Sequence, residues 1–253
     1  MKFSIVTVCY NSAATIRDTL ESVNSQDHPD VEHLVIDGGS RDGTLEIVRT
    51  HKHRPGLVLS EPDRGIYDAM NKGVASATGD VIGLLNADDV LAHAGVLSRL
   101  AREFADPGVD ACYGDLDYYR PDWSRVVRRW RSRDYVPGLA LRGWMPAHPT
   151  FYLRAAHYHR HGGYDAGLRI AADFELCLRM LEVHRLRARH LPEVLVHMRT
   201  GGASNSGLRS IWRGNREASD ALRRHGYRGG PWVIARKLAS KLAQLVPCGA
   251  NRL

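Results

Sequence analysis

The chain has 253 residues, 43% of them hydrophobic and 25% charged, which suits one large α/β domain or one domain with a small appendage. Its net charge of +7 is unevenly spread: residues 1–119 hold 10 Lys and Arg against 19 Asp and Glu (−9), and residues 120–253 hold 25 against 9 (+16), which together return +7. No run of about 18 apolar residues is present, so no transmembrane helix is predicted. The acidic half suits a metal site, and the basic half suits anionic partners.

Short apolar runs and helical spacings alternate along the first 115 residues. Strands are predicted at residues 3–8, 34–36, 57–59, 81–85 and 111–113, and helices at residues 13–25, 45–50 and 65–77 and around residues 96–104. This alternation predicts βαβ units with right-handed crossovers and a parallel sheet. The polar loops after the strands then gather at the carboxyl edge of the sheet, where open α/β sheets bind ligands.

The pattern is less regular beyond residue 113. It predicts a strand pair within residues 123–135, a loop ending in a short strand at 143–153, helices at 172–184 and 210–225, and a strand at 194–198. The amphipathic segment 232–246 is either an interfacial helix on anionic lipid or a packed helix with a wet basic face. Many of the arginines in this half could simply solvate helix faces.

The cysteines and histidines of the chain do not predict a disulfide or metal site. Cys9, Cys112, Cys177 and Cys248 form no C-x-x-C pair, which predicts reduced thiols in a cytoplasmic protein. A zinc site at His157, His159 and His161 is not predicted, because alternate residues of a helix point apart and no Cys pair or Glu accompanies them. No nucleic-acid-binding motif is present, so nucleic acid is not predicted as a partner.

Two adjacent carboxylates, Asp88 and Asp89, end the polar cluster that follows the predicted strand at 81–85. Adjacent Asp side chains repel each other, and oxygen ligands suit a divalent cation such as Mg²⁺ or Mn²⁺. The alternative is a loop pair that caps the next helix.

Two further polar loops follow the second and third predicted strands. Residues 37–44 hold three glycines and two Asp without the G-x-G-x-x-G or P-loop signature, and a carboxylate there could accept hydrogen bonds from a base or ribose. Asp42 or Thr44 could instead cap a helix. Asp68 and Lys72, spaced i, i+4, belong either to a ligand-facing helix or to a surface ion pair.

The chain resembles the family 2 inverting glycosyltransferases with the GT-A fold. The resemblance lies in five segments that occur in the order typical of the family: residues 4–11, 35–44, 63–73, 85–89 and 172–175. They are most similar to bacterial enzymes of capsule, colanic-acid and exopolysaccharide biosynthesis. The resemblance covers roughly residues 3–200, and the last fifty residues are generic. It implies a mostly parallel, Rossmann-like nucleotide-binding sheet flanked by helices. Residues 1–115 would bind the nucleotide sugar, residues 116–205 would bind the acceptor, and residues 206–253 would form a basic helical extension.

The resemblance also implies roles for single residues. Asp37 would contact the base, Asn86-Ala87-Asp88 would stand for the D-x-D motif, and Asp88, helped by Asp89, would hold the metal. Asn86 departs from the family pattern, because an amide brings no charge to the metal. The residues implied in substrate binding are Thr7, Tyr10, Asn11, Asp37, Gly38, Ser40, Asp42, Asp63, Asp68, Lys72, Asn86, Ala87 and His148.

Asp173 matches the catalytic base of the family. It begins a predicted helix, whose N-terminus favours the ionised carboxylate, and the alternative is a helix N-cap. His148 lies in an acceptor-side loop and could equally be structural. Residues 197–204 correspond to a loop that often covers the active site in the family.

The expected activity is metal-assisted, non-processive transfer of a sugar from a nucleoside-diphosphate sugar, with UDP favoured, to a hydroxyl of a lipid-linked saccharide. The resemblance implies a polyprenyl-diphosphate-linked acceptor and a peripheral place on the inner face of the plasma membrane. The lack of a Q-x-x-R-W motif argues against a polymer-extruding synthase. One alternative is a sugar-phosphate nucleotidyltransferase, although Cys9-Tyr10-Asn11-Ser12 is not its usual Gly-rich loop. The other is a non-catalytic sugar-nucleotide binder, which Asn86 allows.

Overall fold

The computed structural model describes residues 1–201 and 207–228. The amphipathic segment predicted at 232–246, Cys248, and residues 202–204 of the predicted covering loop lie outside the described residues.

The first half of the chain alternates strand and helix as predicted. Its elements are β1 (Phe3–Cys9), α1 (Ile16–Asn24), β2 (Val31–Asp37), α2 (Thr44–His51), β3 (Val58–Ser60), α3 (Ile66–Ser76) and β4 (Val81–Leu84). β1 pairs in parallel with both β2 and β4, and β2 pairs in parallel with β3. The predicted parallel βα half is therefore confirmed.

The second half of the chain contains both parallel and antiparallel strand pairs. Its elements are β5 (Asp89–Leu91), α4 (Val96–Phe104), β6 (Ala111–Tyr119), β7 (Val126–Trp130), β8 (Tyr152–Arg154), α5 (Ala155–His161), α6 (Ala172–Leu178), β9 (Ala188–Arg199) and α7 (Gly207–Arg224). A π-helical segment, Arg179–Val183, continues α6. β5 and α5 are additions to the predicted elements, and residues 123–135 supply one strand, β7, whose partner is β6 rather than a second strand of that segment.

The strands form one sheet in the order β3-β2-β1-β4-β8-β6-β9-β5, with β7 beside β6. The short strand β8 lies antiparallel between β4 and β6, and β6 pairs in parallel with β9. β6 therefore runs in the same direction as β4, as expected of a mostly parallel sheet, but the antiparallel strand β8 separates the two. The predicted α/β class with flanking helices is confirmed. The spacing of apolar residues does not reveal the order in which strands lie side by side in the sheet.

Both faces of the central strands are covered. β1 and β2 are buried at all seven positions each. Val6 and Val8 of β1 pack in one apolar cluster with α3 and α6, whereas Phe3 and Ile5 pack in another with α4. Burial on both faces explains why these strands appear as nearly continuous apolar runs.

Helix α7 packs into the same apolar cluster as α6. Ala218, Ala221 and Leu222 are buried there together with Phe174 and Leu178. The division predicted at residue 205 stays a prediction, and in the structure α7 shares its core with the residues before it. None of the described helices is long and apolar enough to cross a membrane.

Gly73 allows α3 to lie directly on β1. A Cβ built on Gly73 would come within 2.2 Å of Val6 Cγ1. We expect Gly73→Ala to lower the free energy of unfolding by about 1–3 kcal/mol, because overpacking outweighs the gain of about 1 kcal/mol in helix propensity. Urea denaturation measures the change. Ala75→Gly, at an exposed position of the same helix, should cost only about 1 kcal/mol. A Gly73→Ala protein as stable as the wild type would contradict the close approach.

Candidate functional site

A cleft of about 780 Å³ opens where β1, β2 and β4 end. Residues of the loops after these strands, and of the start of α3, form its walls. The predicted site residues that line it are Tyr10, Asn11, Gly38, Asp63, Asn86, Ala87 and Asp88. Val8, Cys9, Ser12, Ala14, Thr15, Pro62, Gly65, Ile66, Ala69 and Met198 complete the lining. Polar loops from separate parts of the chain thus meet at one sheet edge, as predicted.

Asp37 is buried beneath this cleft instead of lining it. Its carboxylate accepts hydrogen bonds from the backbone N–H of Gly39 (3.1 Å) and Ser40 (3.0 Å), and from the hydroxyls of Ser40 and Ser60 (2.7 Å to Ser60). Burial alone would raise the pKa of Asp37, but these hydrogen bonds to the charged form outweigh it and lower the pKa. In this structure Asp37 shapes the loop after β2, so direct contact with a base stays a prediction.

The loops after β1 and β2 are tied to each other. The Asn11 N–H donates to Ser40 Oγ (2.7 Å), and Asn11 Oδ1 accepts from the Arg41 N–H (3.0 Å). The Asp42 carboxylate accepts from the N–H groups of Ala13 (3.0 Å) and Thr44 (3.1 Å). Gly43 is the N-cap residue of α2, so the N-cap alternative at Asp42 or Thr44 is wrong, and the Asp42 carboxylate instead accepts from the N–H of the first helical residue, Thr44.

Thr7 lies away from the cleft. It is fully buried in β1, and its Oγ1 is 2.9 Å from Nε2 of the buried His33 in β2. The predicted place of Thr7 in the pocket lining is therefore wrong. Side chains alternate between the two faces of a strand, and the face that Thr7 occupies carries it into the sheet's packing rather than into the open end.

His33 should make stability depend on pH. Burial, and secondarily Lys52, lowers the pKa of His33 from 6.5 to about 3. Below pH 6.5 the His33 side chain binds a proton in the unfolded chain but not in the folded one. The free energy of unfolding should therefore fall by about 1.4 kcal/mol per pH unit, until the pH reaches the pKa of His33 in the folded protein. Urea denaturation at pH 7 and pH 5 measures this loss. His33→Gln should show a smaller loss than the wild type over this interval, and an equal loss would contradict the assignment.

Lys72 holds the loop after β3. Its Nζ lies 2.7 Å from Asp63 Oδ1, 2.9 Å from Glu61 Oε1 and 3.9 Å from Asp68 Oδ2. Asp68 instead pairs with the Arg64 guanidinium at 2.7 Å. A Cβ on Gly38 would come within 2.8 Å of Asp63 Oδ2, so glycine leaves room for this carboxylate at the cleft. Lys72 and Asp68 therefore stabilise the cleft wall.

The two adjacent carboxylates occupy different environments. Asp88 is half-buried on the cleft wall, whereas Asp89 is fully buried as the first residue of β5. Asn86 Nδ2 donates to Asp89 Oδ2 (3.1 Å). Burial raises the pKa of Asp88, and burial together with the Asp88 charge raises that of Asp89 well above its ordinary value. Because β5 follows directly, the helix-cap alternative is wrong.

Arg199, which lies in none of the motifs named above, supplies positive charge beside the two carboxylates. It is a buried residue at the end of β9, its guanidinium pairs with Asp18, and it lies 4.4 Å over the Trp123 ring. Its charge acts on both Asp88 and Asp89 and opposes the rise in their pKa values. Only the basic composition of the second half hinted at such a residue.

Asp173 lies in the first turn of α6 and is half-buried. Ala171 is the N-cap residue, and the Asp173 carboxylate accepts a hydrogen bond from the Phe174 N–H (2.7 Å), so the N-cap alternative is wrong. Burial raises the pKa of Tyr67, and the Asp173 charge raises it further. His148 also lies near this charge, which opposes the lowering of its pKa by burial. His148 Nε2 is 2.8 Å from Tyr164 Oη, and this partner gives it a structural place beside Asp173.

Among the described residues, no group of three or more His, Cys, Asp or Glu side chains could enclose a metal ion. His157 and His161 stack with ring centroids 5.7 Å apart, and His159 is exposed. A cation at the cleft would therefore need oxygens from a bound ligand as well as from the protein.

Comparison with known proteins assigns the chain to a family. Residues 4–169 match the sequence profile described as "Glycosyl transferase family 2". The chain belongs to glycosyl transferase family 2. This transferase is 30% identical over 209 residues to a "PGL/p-HBAD biosynthesis glycosyltransferase" of Mycobacterium bovis, covering 81% of this chain and 79% of the relative. It is 32% identical over 186 residues to an uncharacterized glycosyltransferase of Mycobacterium tuberculosis, covering 70% and 67%. Membership of this family decides against a sugar-phosphate nucleotidyltransferase.

Solved structures share the fold of this family 2 transferase. S. aureus TarS 1–349, in complex with UDP-GlcNAc, superposes with a TM-score of 0.70 at 18% identity, covering 96% of this chain and 73% of TarS. The mannosyltransferase PcManGT from Pyrobaculum calidifontis, in complex with GDP-Man and Mn²⁺, gives a TM-score of 0.66 at 20% identity, covering 100% and 76%. The GT-A fold predicted from the sequence is thereby confirmed.

Proposed function

We propose that this transferase moves a sugar from a nucleoside-diphosphate sugar to an acceptor hydroxyl by a single, inverting displacement. One observation carries the proposal. The Tyr67 hydroxyl of α3, the helix whose first residues line the cleft, donates to the carbonyl oxygen of Ile170 (2.8 Å), three residues before Asp173. The start of α6, which carries Asp173, is therefore attached to a wall of the cleft that Asp88 also lines.

The cleft supports a nucleotide donor. Its volume of about 780 Å³ falls in the range of small-molecule and cofactor sites. TarS was solved with UDP and with UDP-GlcNAc, and PcManGT with GDP-Man. We favour a UDP-sugar as the donor.

The residues at the end of β4 fit a divalent cation. Asn86 Oδ1 and Asp89 Oδ1 are buried and have no hydrogen-bond partner among the described residues, and Asp88 adds a carboxylate on the cleft wall. Such oxygens are the ligands that Mg²⁺ and Mn²⁺ take. Asp88 would hold the ion, with Asp89 and the Asn86 amide oxygen as helpers. When bound, the cation supplies Lewis-acid stabilisation of the departing diphosphate.

Asp173 supplies the proton acceptor in this mechanism. The acceptor hydroxyl loses its proton to an Asp173 carboxylate oxygen as its own oxygen bonds to the anomeric carbon. The bond from that carbon to the diphosphate oxygen breaks on the opposite face, and the electron pair leaves with the nucleoside diphosphate. One carboxylate suffices, because no covalent glycosyl-enzyme forms and the anomeric configuration inverts.

We further propose a lipid-linked saccharide as acceptor, polyprenyl-diphosphate-linked, and a peripheral contact with the anionic inner face of the plasma membrane. The supporting observation is the outer face of α7. Ile211 is 45% exposed and Trp212 is 65% exposed, and Arg213 and Arg216 are exposed beside them. Apolar and aromatic side chains next to basic ones are typical of helices that lie at an anionic lipid interface.

A donor screen tests the proposal. Purified protein is incubated with UDP-glucose, UDP-GlcNAc or GDP-mannose, with an extracted lipid-linked acceptor fraction, and with Mn²⁺, Mg²⁺ or EDTA. We expect cation-dependent release of nucleoside diphosphate and a product of inverted configuration by NMR. Tight nucleotide binding without transfer or hydrolysis would instead support the non-catalytic binder that Asn86 allows. Retention of configuration would overturn the single displacement.

A further inference from the structure

Three successive backbone N–H groups converge on one carboxylate directly before α6. The N–H groups of Arg169 (3.2 Å), Ile170 (2.9 Å) and Ala171 (3.0 Å) all donate to Glu217 Oε2. Glu217 belongs to α7, 46 residues beyond Ala171. A carboxylate from a helix distant in sequence therefore binds the backbone that directly precedes α6.

This carboxylate holds the backbone just before α6, a helix that has no side-chain cap of its own. The N-cap residue of α6 is Ala171, which has no side chain able to accept a hydrogen bond, and no side-chain cap is present. Free N–H groups at a helix start are usually satisfied by a nearby Ser, Thr, Asp or Asn. The entry to α6 thus depends on Glu217 for its geometry.

The same segment is held from the opposite side. The Tyr67 hydroxyl of α3 donates to the carbonyl oxygen of Ile170 (2.8 Å). A Cβ on Gly214 of α7 would come within 2.9 Å of Ile170 Cγ2, so glycine allows α7 to approach closely. Ile170 is consequently fixed between the cleft-side helix α3 and the C-terminal helix α7.

Helix α7 is itself firmly attached. Arg224 Nη1 lies 2.6 Å from Asp165 Oδ2, and His225 Nε2 lies 2.8 Å from Glu175 Oε1 of α6. Ala221 and Leu222 are fully buried in the main core. Glu217 therefore acts from a rigid support.

We infer that Glu217 is a positioning residue for the base: by holding residues 169–171, it sets the direction in which Asp173, two residues beyond Ala171, faces the acceptor. The inference rests on the proposed function, in which Asp173 takes the proton. A misplacement of about 1 Å in a reacting group can cost about 10²-fold in rate. The C-terminal helix is then part of the catalytic architecture.

Kinetics on the full chain test this role. Glu217→Ala is expected to lower kcat by about 10- to 100-fold, with the KM for the donor nearly unchanged. Glu217→Gln should recover most of the rate, because its amide oxygen accepts the same N–H groups. Asp220→Ala is the matched control, since Asp220 is a carboxylate of the same helix that pairs with Arg223 (2.8 Å) and should leave kcat unchanged.

Two further measurements separate positioning from general damage. Hydrogen–deuterium exchange should speed up at residues 169–173 in Glu217→Ala and stay unchanged in Asp220→Ala. Glu217→Ala added to Asp173→Asn should cause no further loss of kcat, because both changes act on one group. Wild-type kcat in Glu217→Ala, a parallel loss of donor affinity, or additive losses in the double variant would each overturn the inference. If Asp173→Asn keeps wild-type activity, the proposed base fails and the inference fails with it. If Asp173→Asn is inactive while Glu217→Ala is normal, only the inference fails.

Discussion

Asparagine in place of Asp173 is expected to lower kcat by about 10³-fold, with affinity for the nucleoside diphosphate unchanged. Asparagine has nearly the same shape but cannot take the acceptor proton, and general-base catalysis contributes about 10²- to 10⁴-fold. Steady-state release of nucleoside diphosphate measures kcat, and titration calorimetry measures nucleotide affinity.

Glu46→Gln provides a matched control for this change. Glu46 is an exposed carboxylate in the first turn of α2, as Asp173 is a carboxylate in the first turn of α6. It lies outside the cleft lining, so its replacement should leave both kcat and affinity unchanged. Full transferase activity in Asp173→Asn would show that another group accepts the proton.

Asp88→Ala is expected to remove activation by Mn²⁺ or Mg²⁺ and to lower kcat/KM by about 10²- to 10³-fold. The reason is that Asp88 is the carboxylate of the acidic pair that reaches the cleft, and a cation at the leaving diphosphate is worth several kcal/mol in the transition state. Activity measured against cation concentration, with EDTA as the zero point, checks the result. Unchanged cation dependence in this variant would place the metal site elsewhere.

Asp89→Asn is expected to differ from Asp88→Ala in its effect on stability and on cation activation. Burial and the neighbouring Asp88 raise the pKa of Asp89, so the folded protein disfavours the charge that asparagine removes at nearly the same shape. A carboxyl whose folded pKa is raised loses stability as the pH increases through its unfolded value. The variant should therefore be at least as stable as the wild type at pH 7 by urea denaturation. Because Asp89 only helps Asp88 at the cation, cation activation should weaken far less than in Asp88→Ala, and an equal loss in both variants would make Asp89 a primary ligand.

Two adjacent carboxylates at this site need an offset for their charge. The structure shows protein groups that provide part of it: the Asn86 amide donates to Asp89, and the Arg199 guanidinium acts on both carboxylates. The departure from D-x-D at position 86 thus has a local physical reason. An amide can donate a hydrogen bond to Asp89, whereas a third carboxylate could only repel it.

Which strand-end residues face the ligand was harder to predict. Tyr10, Asn11, Gly38 and Asp88 line the cleft as the loop positions indicated, but Thr7 and Asp37 do not. Both are the kind of polar residue that a site uses, yet each is engaged inside the protein, Thr7 by His33 and Asp37 by Ser40 and Ser60. Residue type at a strand end does not tell which polar groups the fold satisfies internally.

The amino-acid pattern is enough to predict the βα order of the first half, the sheet edge that carries the cleft and the family of the enzyme. These depend on local periodicity and on short motifs, which are properties of neighbouring residues. Three features depend on the folded structure: β8 inserts antiparallel beside β4, Arg199 acts on the acidic pair, and Glu217 accepts hydrogen bonds from the backbone just before the helix of the proposed base. Each of these contacts joins residues more than 45 positions apart, and packing rather than local pattern selects such partners.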